Sequence, residues 1–229
     1  MILLIGDIHG CSTELLDLLD HAALGPDDEI LAVGDIIDRG PDNQGVLDFF
    51  RHRPHASSIL GNHERKHLRW SRGELEPALS QRITRCQLGD AYPDALAYLS
   101  TFPRCRDLPE ALVVHGFWEP GIALEEQRDS VLIGTLSGEA HLQQRCDRPW
   151  YELYDGPKPL VVGHRKYRKD SQPFVYKDRV FGLDTGCCHG GRLTGLLLPA
   201  FRFVSVAARA DYWPQVRRQF APLVSASPG

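Results

Sequence analysis

The 229 residues are 42% hydrophobic and 24% charged, with a formal net charge of −4. A chain of this length buries a sizeable core in one α/β domain and leaves little room for a second, and its composition excludes a disordered chain. The acidic balance argues against bulk nucleic-acid binding, so any action on a nucleic acid has to come from a local site.

The opening MILLIG is apolar but only six residues long, followed at once by Asp7 and preceded by no basic segment, so it reads as a first strand rather than a signal peptide. Ser12–Leu24 carries Leu15, Leu16, Leu18 and Leu19 at helical spacing behind the capping candidates Ser12 and Thr13, and Gly25-Pro26 ends it. Glu29–Val33 is a second strand, the run containing Val46, Leu47, Phe49 and Phe50 a second helix, and Ser57–Leu60 a third strand. This βαβαβ start predicts a largely parallel sheet covered by helices. Residues from about 72 to 106, interrupted by Pro77, Pro93 and Pro103, read as helices and loops forming a small cap. Ala111–Val114, Pro159–Val162, Phe174–Tyr176, Val180–Leu183, Leu193–Leu198 and Phe201–Val206 follow as strands, the later ones antiparallel, before a closing helix at Asp211–Phe220. The expectation is one domain over 1–229, with a frayed tail at 221–229.

Six cysteines (11, 86, 105, 146, 187 and 188) show no C-x-x-C spacing, and the adjacent Cys187 and Cys188 are poorly placed to pair with each other. No apolar run approaches the roughly 18 residues of a membrane span. A soluble, reduced, cytoplasmic protein without a membrane partner is expected.

Polar clusters sit just after the strands: Asp7 and His9, then Asp35, Asp38 and Arg39, then Asn62 and His63, then His115, then His164. In an open α/β sheet the loops at the carboxyl ends of strands converge on one edge, where ligands bind. His63-Glu64-Arg65-Lys66-His67 is also an H-E-x-x-H match, the zinc-peptidase pattern of two histidines one helical turn apart. That pattern needs both histidines within a continuous helix, whereas Gly61-Asn62 and a strand immediately precede His63. It also leaves the other strand-end residues unexplained, so the match reads as coincidental.

GDIHG (6–10), GDIIDRG (34–40), GNHE (61–64), HG at 115 and GH at 163 together resemble the calcineurin-type metallophosphoesterase signature. Their fuller forms resemble its phosphoprotein-phosphatase-like branch, which includes bacterial serine/threonine phosphatases and symmetrical diadenosine tetraphosphate hydrolases. Farther along, VLIGTLSGE (131–139), Pro149-Trp150 and DTGCCHGGRLTGL (184–196) with VSV at 204–206 resemble the phosphatase module of bacterial polynucleotide kinase-phosphatases. The resemblance implies a β-sandwich of mixed sheets flanked by helices and two divalent metals. Asp7 and His9 would hold the first, Asn62, His115 and His164 the second, and Asp35 would bridge them. A bridging carboxylate offsets the repulsion of cations roughly 3.5–4 Å apart, and mixed oxygen and nitrogen ligands suit manganese above all, then iron, nickel or zinc.

On this reading a bridging hydroxide attacks phosphorus in line. His63 is the general acid for the leaving oxygen, Asp38 supports its proton, and Arg39 offers a planar fork to phosphate. Two departures stand out: Leu60 replaces the arginine that commonly precedes the GNHE glycine, and no arginine occupies Gly134–Leu136, where a further phosphate clamp is found in relatives. Arg165, in the basic run with Lys166, Arg168 and Lys169, is the candidate substitute. Asn62 is a further candidate substrate contact, and Trp118, beside Phe117, either offers an aromatic face for a base or packs under the cap. His189 is placed near the site without a ligand role, and His21, His52, His55, His67 and His141 are read as surface or core residues.

The expected activity is phosphoric ester hydrolysis on a nucleotide, an RNA end or a phosphoprotein, extending to 2′,3′-cyclic phosphates. Alternatives are symmetrical dinucleoside tetraphosphate hydrolysis, protein serine/threonine dephosphorylation and, more distantly, an inactive metal-binding scaffold. Oligomeric state is left open.

Overall fold

The computed structural model describes residues 1–225. The start is β1 (Ile2–Ile5), α1 (Ser12–Ala22), β2 (Glu29–Ala32), α2 (Asn43–His52), β3 (Ala56–Ser58) and α3 (Asn62–Ser71). The centre holds α4 (Leu79–Leu88), α5 (Tyr92–Leu99), β4 (Cys105–Asp107), β5 (Leu112–Val114), α6 (Asp129–Leu132) and α7 (Leu136–Arg145). It closes with β6 (Leu160–Val162), β7 (Phe174–Tyr176), β8 (Val180–Gly182), β9 (Arg192–Leu198), β10 (Arg202–Ala207) and α8 (Tyr212–Ser225).

The strands form two five-stranded mixed sheets, ordered β10-β9-β1-β2-β3 and β4-β5-β6-β8-β7. In the first, β1-β2-β3 are parallel, as the βαβαβ pattern requires, while β9 pairs antiparallel with β1 and β10 antiparallel with β9. In the second, β5, β6 and β8 are parallel and the edge strands β4 and β7 run antiparallel. The mixed sheets implied by the resemblance are what the fold shows, and the antiparallel pairs β4-β5, β7-β8 and β9-β10 are joined by short connections.

Alternation along the strands explains the layering. Leu3, Ile5, Ile30 and Ala32 point to α1 and α2 in one apolar cluster. Their neighbours Leu4, Leu31 and Val33 share a second cluster with Val113, Val161 and Phe181 of the other sheet. Leu112, Val114, Leu160 and Val162 face outward into a third, capped by Leu132 and Leu142 of α6 and α7. Strands covered on both faces read as continuous apolar runs, which is why these segments lack a polar face in the sequence.

Several boundaries differ from the sequence reading. β3 ends at Ser58, because Leu60 N–H turns away to the carbonyl of Pro103 (2.8 Å). Pro93 lies in the first turn of α5, where the missing N–H costs nothing. The strand β4 and the helix α7 were not anticipated; both are short and weakly patterned. The closing helix continues past Phe220 to Ser225, so the expected frayed tail begins as helix, and its residues 226–229 lie outside the described residues. Among the described residues no helix is long and apolar enough to cross a membrane.

Candidate metal centre and active site

The carboxyl ends of β1, β2, β3, β5 and β6 deliver their polar residues to one rim. Asp7 Oδ2 lies 4.0 Å from His9 Nε2, which is 3.8 Å from Asp35 Oδ2. The same Asp35 oxygen is 3.3 Å from His115 Nε2. Asn62 Oδ1 is 3.1 Å from His115 Nε2 and 2.9 Å from His164 Nδ1. Asp7 Oδ1 accepts the backbone N–H of His164 at 2.9 Å, tying the first strand loop to the last. The six residues read as ligands are therefore linked in one chain of contacts, and two donor groups, His9-Asp35-His63 and Asp35-His115-His164, share Asp35.

The surroundings orient these side chains. His9 Nδ1 donates to Ile37 O (2.8 Å) and His115 Nδ1 donates to Val33 O (2.7 Å), which turns each Nε2 toward the centre. Arg39 donates to His9 Nε2 at 3.1 Å, so that nitrogen carries a lone pair. His9, Asp35, Asp38, Arg39 and His164 all have positive φ (47°, 50°, 76°, 69° and 64°). Each such non-glycine residue costs on the order of 1–3 kcal/mol, strain that concentrates where geometry serves function. Gly61 is required by proximity: a Cβ there would lie 2.2 Å from Asp35 Oδ1.

Glu64, which the sequence reading left without a role outside the rejected peptidase pattern, sets the position of Asp35. It is the third residue of α3 and returns to the Gly61 N–H (3.0 Å), as in a capping box. It also accepts from the backbone of Asp35 (2.9 Å), Ile36 (3.0 Å) and Ile37 (3.3 Å). Burial and the nearby Asp35 push its carboxyl up to about 8, against the pull of these N–H donors.

Both histidines of H-E-x-x-H lie on α3, yet they meet a carboxylate rather than share a metal. Asp38 Oδ2 accepts from His63 Nδ1 (2.6 Å) and Asp38 Oδ1 from His67 Nε2 (2.8 Å). Thr84 (2.5 Å) and Gln81 of α4 donate to the same carboxylate, and Asn43 Oδ1 accepts the Asp38 N–H at 2.7 Å. Burial alone would raise the Asp38 carboxyl, but His67 and His63 hold it well below the usual range. His63 Nε2 is left facing the centre, 3.9 Å from Asp35 Oδ2. Burial lowers the His63 pKa, with Asp35 and Asp38 pulling the other way. The segment from 72 to 106 thus reaches the site through Gln81 and Thr84, contacts that no local sequence signal announces.

The donor chemistry fits divalent cations. Burial, then the charge of Asp184, hold the Asp7 carboxyl well above its ordinary range, and burial likewise raises Asp184 itself. Burial works against a charged His115, but Asp35 and Asp7 outweigh it and raise its pKa to about 10. Burial, then the charge on His115, lowers His164 to about 3. Carboxylates and imidazoles packed this closely demand positive charge between them, which bound metal supplies. Asp184, at the end of β8, is a member of this set that the sequence reading passed over.

Two expected substrate contacts are placed differently from the rest. Trp118 is buried, donates Nε1–H to Asp155 (3.1 Å) and packs edge-on against Tyr154, 5.5 Å between ring centres. It lines a cavity of about 470 Å³ that contains none of the convergent residues. Its neighbour Phe117 is the one that meets the centre, edge-on to His164 at 5.1 Å. Arg165 stands at the rim, 54% exposed and paired with Glu139. Both line a second cavity of about 520 Å³ with Trp150, Tyr151 and Lys166.

Comparison with known proteins agrees with this geometry. The family model described as calcineurin-like phosphoesterase matches residues 1–218. The asymmetrical bis(5'-nucleosyl)-tetraphosphatase PrpE of Halalkalibacterium halodurans is 30% identical over an alignment of 249 positions, covering 95% of this chain and 98% of the relative. The symmetrical bis(5'-nucleosyl)-tetraphosphatase of Shewanella sp. (strain W3-18-1) is 29% identical, covering 83% of this chain and 92% of that protein. A crystal structure of a candidate diadenosine tetraphosphatase superposes with a TM-score of 0.70 at 28% identity, covering 90% of this chain and 93% of the other. The chain belongs to the calcineurin-like phosphoesterase family of dinuclear-metal-dependent phosphoester hydrolases.

Proposed function

We propose that this chain hydrolyses nucleotide phosphate esters at the strand-end cluster. The observation that carries the reading is the sharing of Asp35 by two donor groups, His9 on one side and His115 with His164 on the other. Asp7 and Asn62 complete the two ligand sets, and manganese suits their mixture of oxygen and nitrogen. When bound, the two ions supply an acidified water as nucleophile and neutralise charge on the phosphoryl oxygens.

The chain's own residues do the rest. Arg39, beside His9, grips the phosphate with its planar fork. Asn62, whose Oδ1 lies against His115 and His164, would offer its amide N–H to the same oxygens. His63 gives a proton from Nε2 to the leaving oxygen, while Asp38 fixes the ring through Nδ1. Arg165 offers a second cation at the rim in place of the missing clamp arginines. The free thiols of the chain suit a reducing cytoplasm.

A second reading, hydrolysis of a dinucleoside tetraphosphate, is favoured by the cavity of about 520 Å³ that Phe117 and Arg165 line. Its aromatic and basic lining suits a nucleoside with attached phosphates, and its volume is typical of small-molecule sites, about 300–1,000 Å³. The named relatives act on such substrates.

The test is a manganese-supplemented panel of an aryl phosphate, a nucleoside monophosphate, a 2′,3′-cyclic nucleotide, a phosphoserine peptide and diadenosine tetraphosphate, compared by kcat/KM. Release of inorganic phosphate from the nucleotide ester at the highest kcat/KM supports the first reading. Preference for the tetraphosphate supports the second, with two ADP marking symmetrical cleavage and ATP with AMP asymmetrical cleavage. Unaltered turnover by His63→Ala across the panel would refute the assigned chemistry.

A further inference from the structure

Behind the active-site rim lies a second cluster of metal-binding side chains. Cys11 precedes α1, Glu14 is in its first turn, and Cys187 opens a short 3-10 turn after β8. All three are at most 1% exposed, and the two sulphurs and a carboxylate oxygen lie within 4.8 Å of one another. Donors this close can be drawn onto one ion, zinc–sulphur bonds being about 2.3 Å.

A second observation concerns Glu14 itself. Its Oε1 accepts from the backbone N–H of Arg209 and from the Tyr212 hydroxyl, both at 2.8 Å. Its Oε2 is buried with no hydrogen-bond partner among the described residues. The Arg209 guanidinium turns away to Asp17. A buried carboxylate oxygen without a donor is costly and calls for an electrophile. The same carboxylate lies beside the sulphurs of Cys11 and Cys187, the Cys11 thiol donating to His9 O at 3.6 Å.

We infer that Cys11, Glu14 and Cys187 form a structural site for one thiophilic divalent cation of the zinc class, separate from the dinuclear centre. Sulphur donors select zinc over manganese, whereas the rim offers only nitrogen and oxygen. The ion would fasten three segments together: the loop carrying His9, the turn following Asp184, and the start of α8 that Glu14 already holds. A tie of this kind stabilises the back of the catalytic loops without touching substrate.

Cobalt(II) reads this site selectively, because thiolate ligation produces a near-ultraviolet charge-transfer band that the nitrogen and oxygen donors of the rim do not. Titration of the chelator-stripped full chain, its rim first loaded with manganese, is expected to develop that band to saturation at one cobalt per chain. The band should vanish in Cys187→Ser and persist in Asn62→Ala. No band at saturating cobalt, or a band that survives Cys187→Ser, overturns the proposal. The unsubstituted protein provides a second measurement, since zinc should slow alkylation of Cys11 and Cys187 while manganese does not. Equal alkylation with either metal overturns it as well.

Discussion

Asp38→Asn separates positioning of the leaving-group acid from simple maintenance of the fold. The carboxylate receives two donors on each oxygen, His67 and Thr84 on one and His63 and Gln81 on the other. Asparagine keeps one acceptor and turns the second into an N–H donor, so one of these pairs loses its acceptor. At about 1–3 kcal/mol per buried group left unpaired, stability falls by about 2–6 kcal/mol. That lowers Tm by on the order of 10 °C in a chain of this size. The kinetic effect depends on the leaving group. General acid catalysis contributes about 10²–10⁴-fold, so kcat on an alkyl phosphate should fall by about 100-fold or more. A nitrophenyl phosphate, whose leaving group departs without a proton, should lose far less. The assay is kcat for both substrates across the variant, alongside thermal denaturation. Thr84→Val is the control: it removes one donor and about 1–2 kcal/mol but leaves the dependence on leaving group unchanged. Equal losses on the two substrates in Asp38→Asn would refute the positioning argument and reduce Asp38 to a structural residue.

Asp35→Asn should lower the metal content measured by elemental analysis along with activity, because this carboxylate faces both donor groups; a full complement of metal would show that Asp35 is not shared. Gly61→Ala would set a Cβ 2.2 Å from Asp35 Oδ1 and 2.4 Å from Asp35 N. It is therefore expected to displace that residue and weaken metal binding in a titration, and unchanged affinity would mean the backbone yields freely there. Arg165→Ala should raise KM for a phosphate substrate with little change in kcat or Tm, since a pair this exposed contributes only about 0–1 kcal/mol to stability. Unchanged kinetic constants would remove Arg165 from the substrate site.

Local order along the chain determined a good deal of this protein. The alternation of apolar runs with Gly- and Asp-rich loops marked β1, α1, β2 and α2, and the position of Asp7, Asp35, Asn62, His115 and His164 just after strands marked the rim where they meet. Such features are local, because strand-end geometry places a residue irrespective of what approaches from elsewhere. The tertiary structure alone decided what surrounds them. Glu64 organises the Asp35 loop through backbone donors 27 to 29 positions away, and Gln81 and Thr84 reach Asp38 from a helix 43 and 46 positions downstream. Trp118 and Phe117 are adjacent in sequence, yet only Phe117 meets His164, while Trp118 packs against Tyr154. Cys11 and Glu14 join Cys187 across most of the chain in the same way. Contacts of this kind arise from how sheets and helices pack, and packing depends on the shape of the whole interior rather than on the pattern of any one segment.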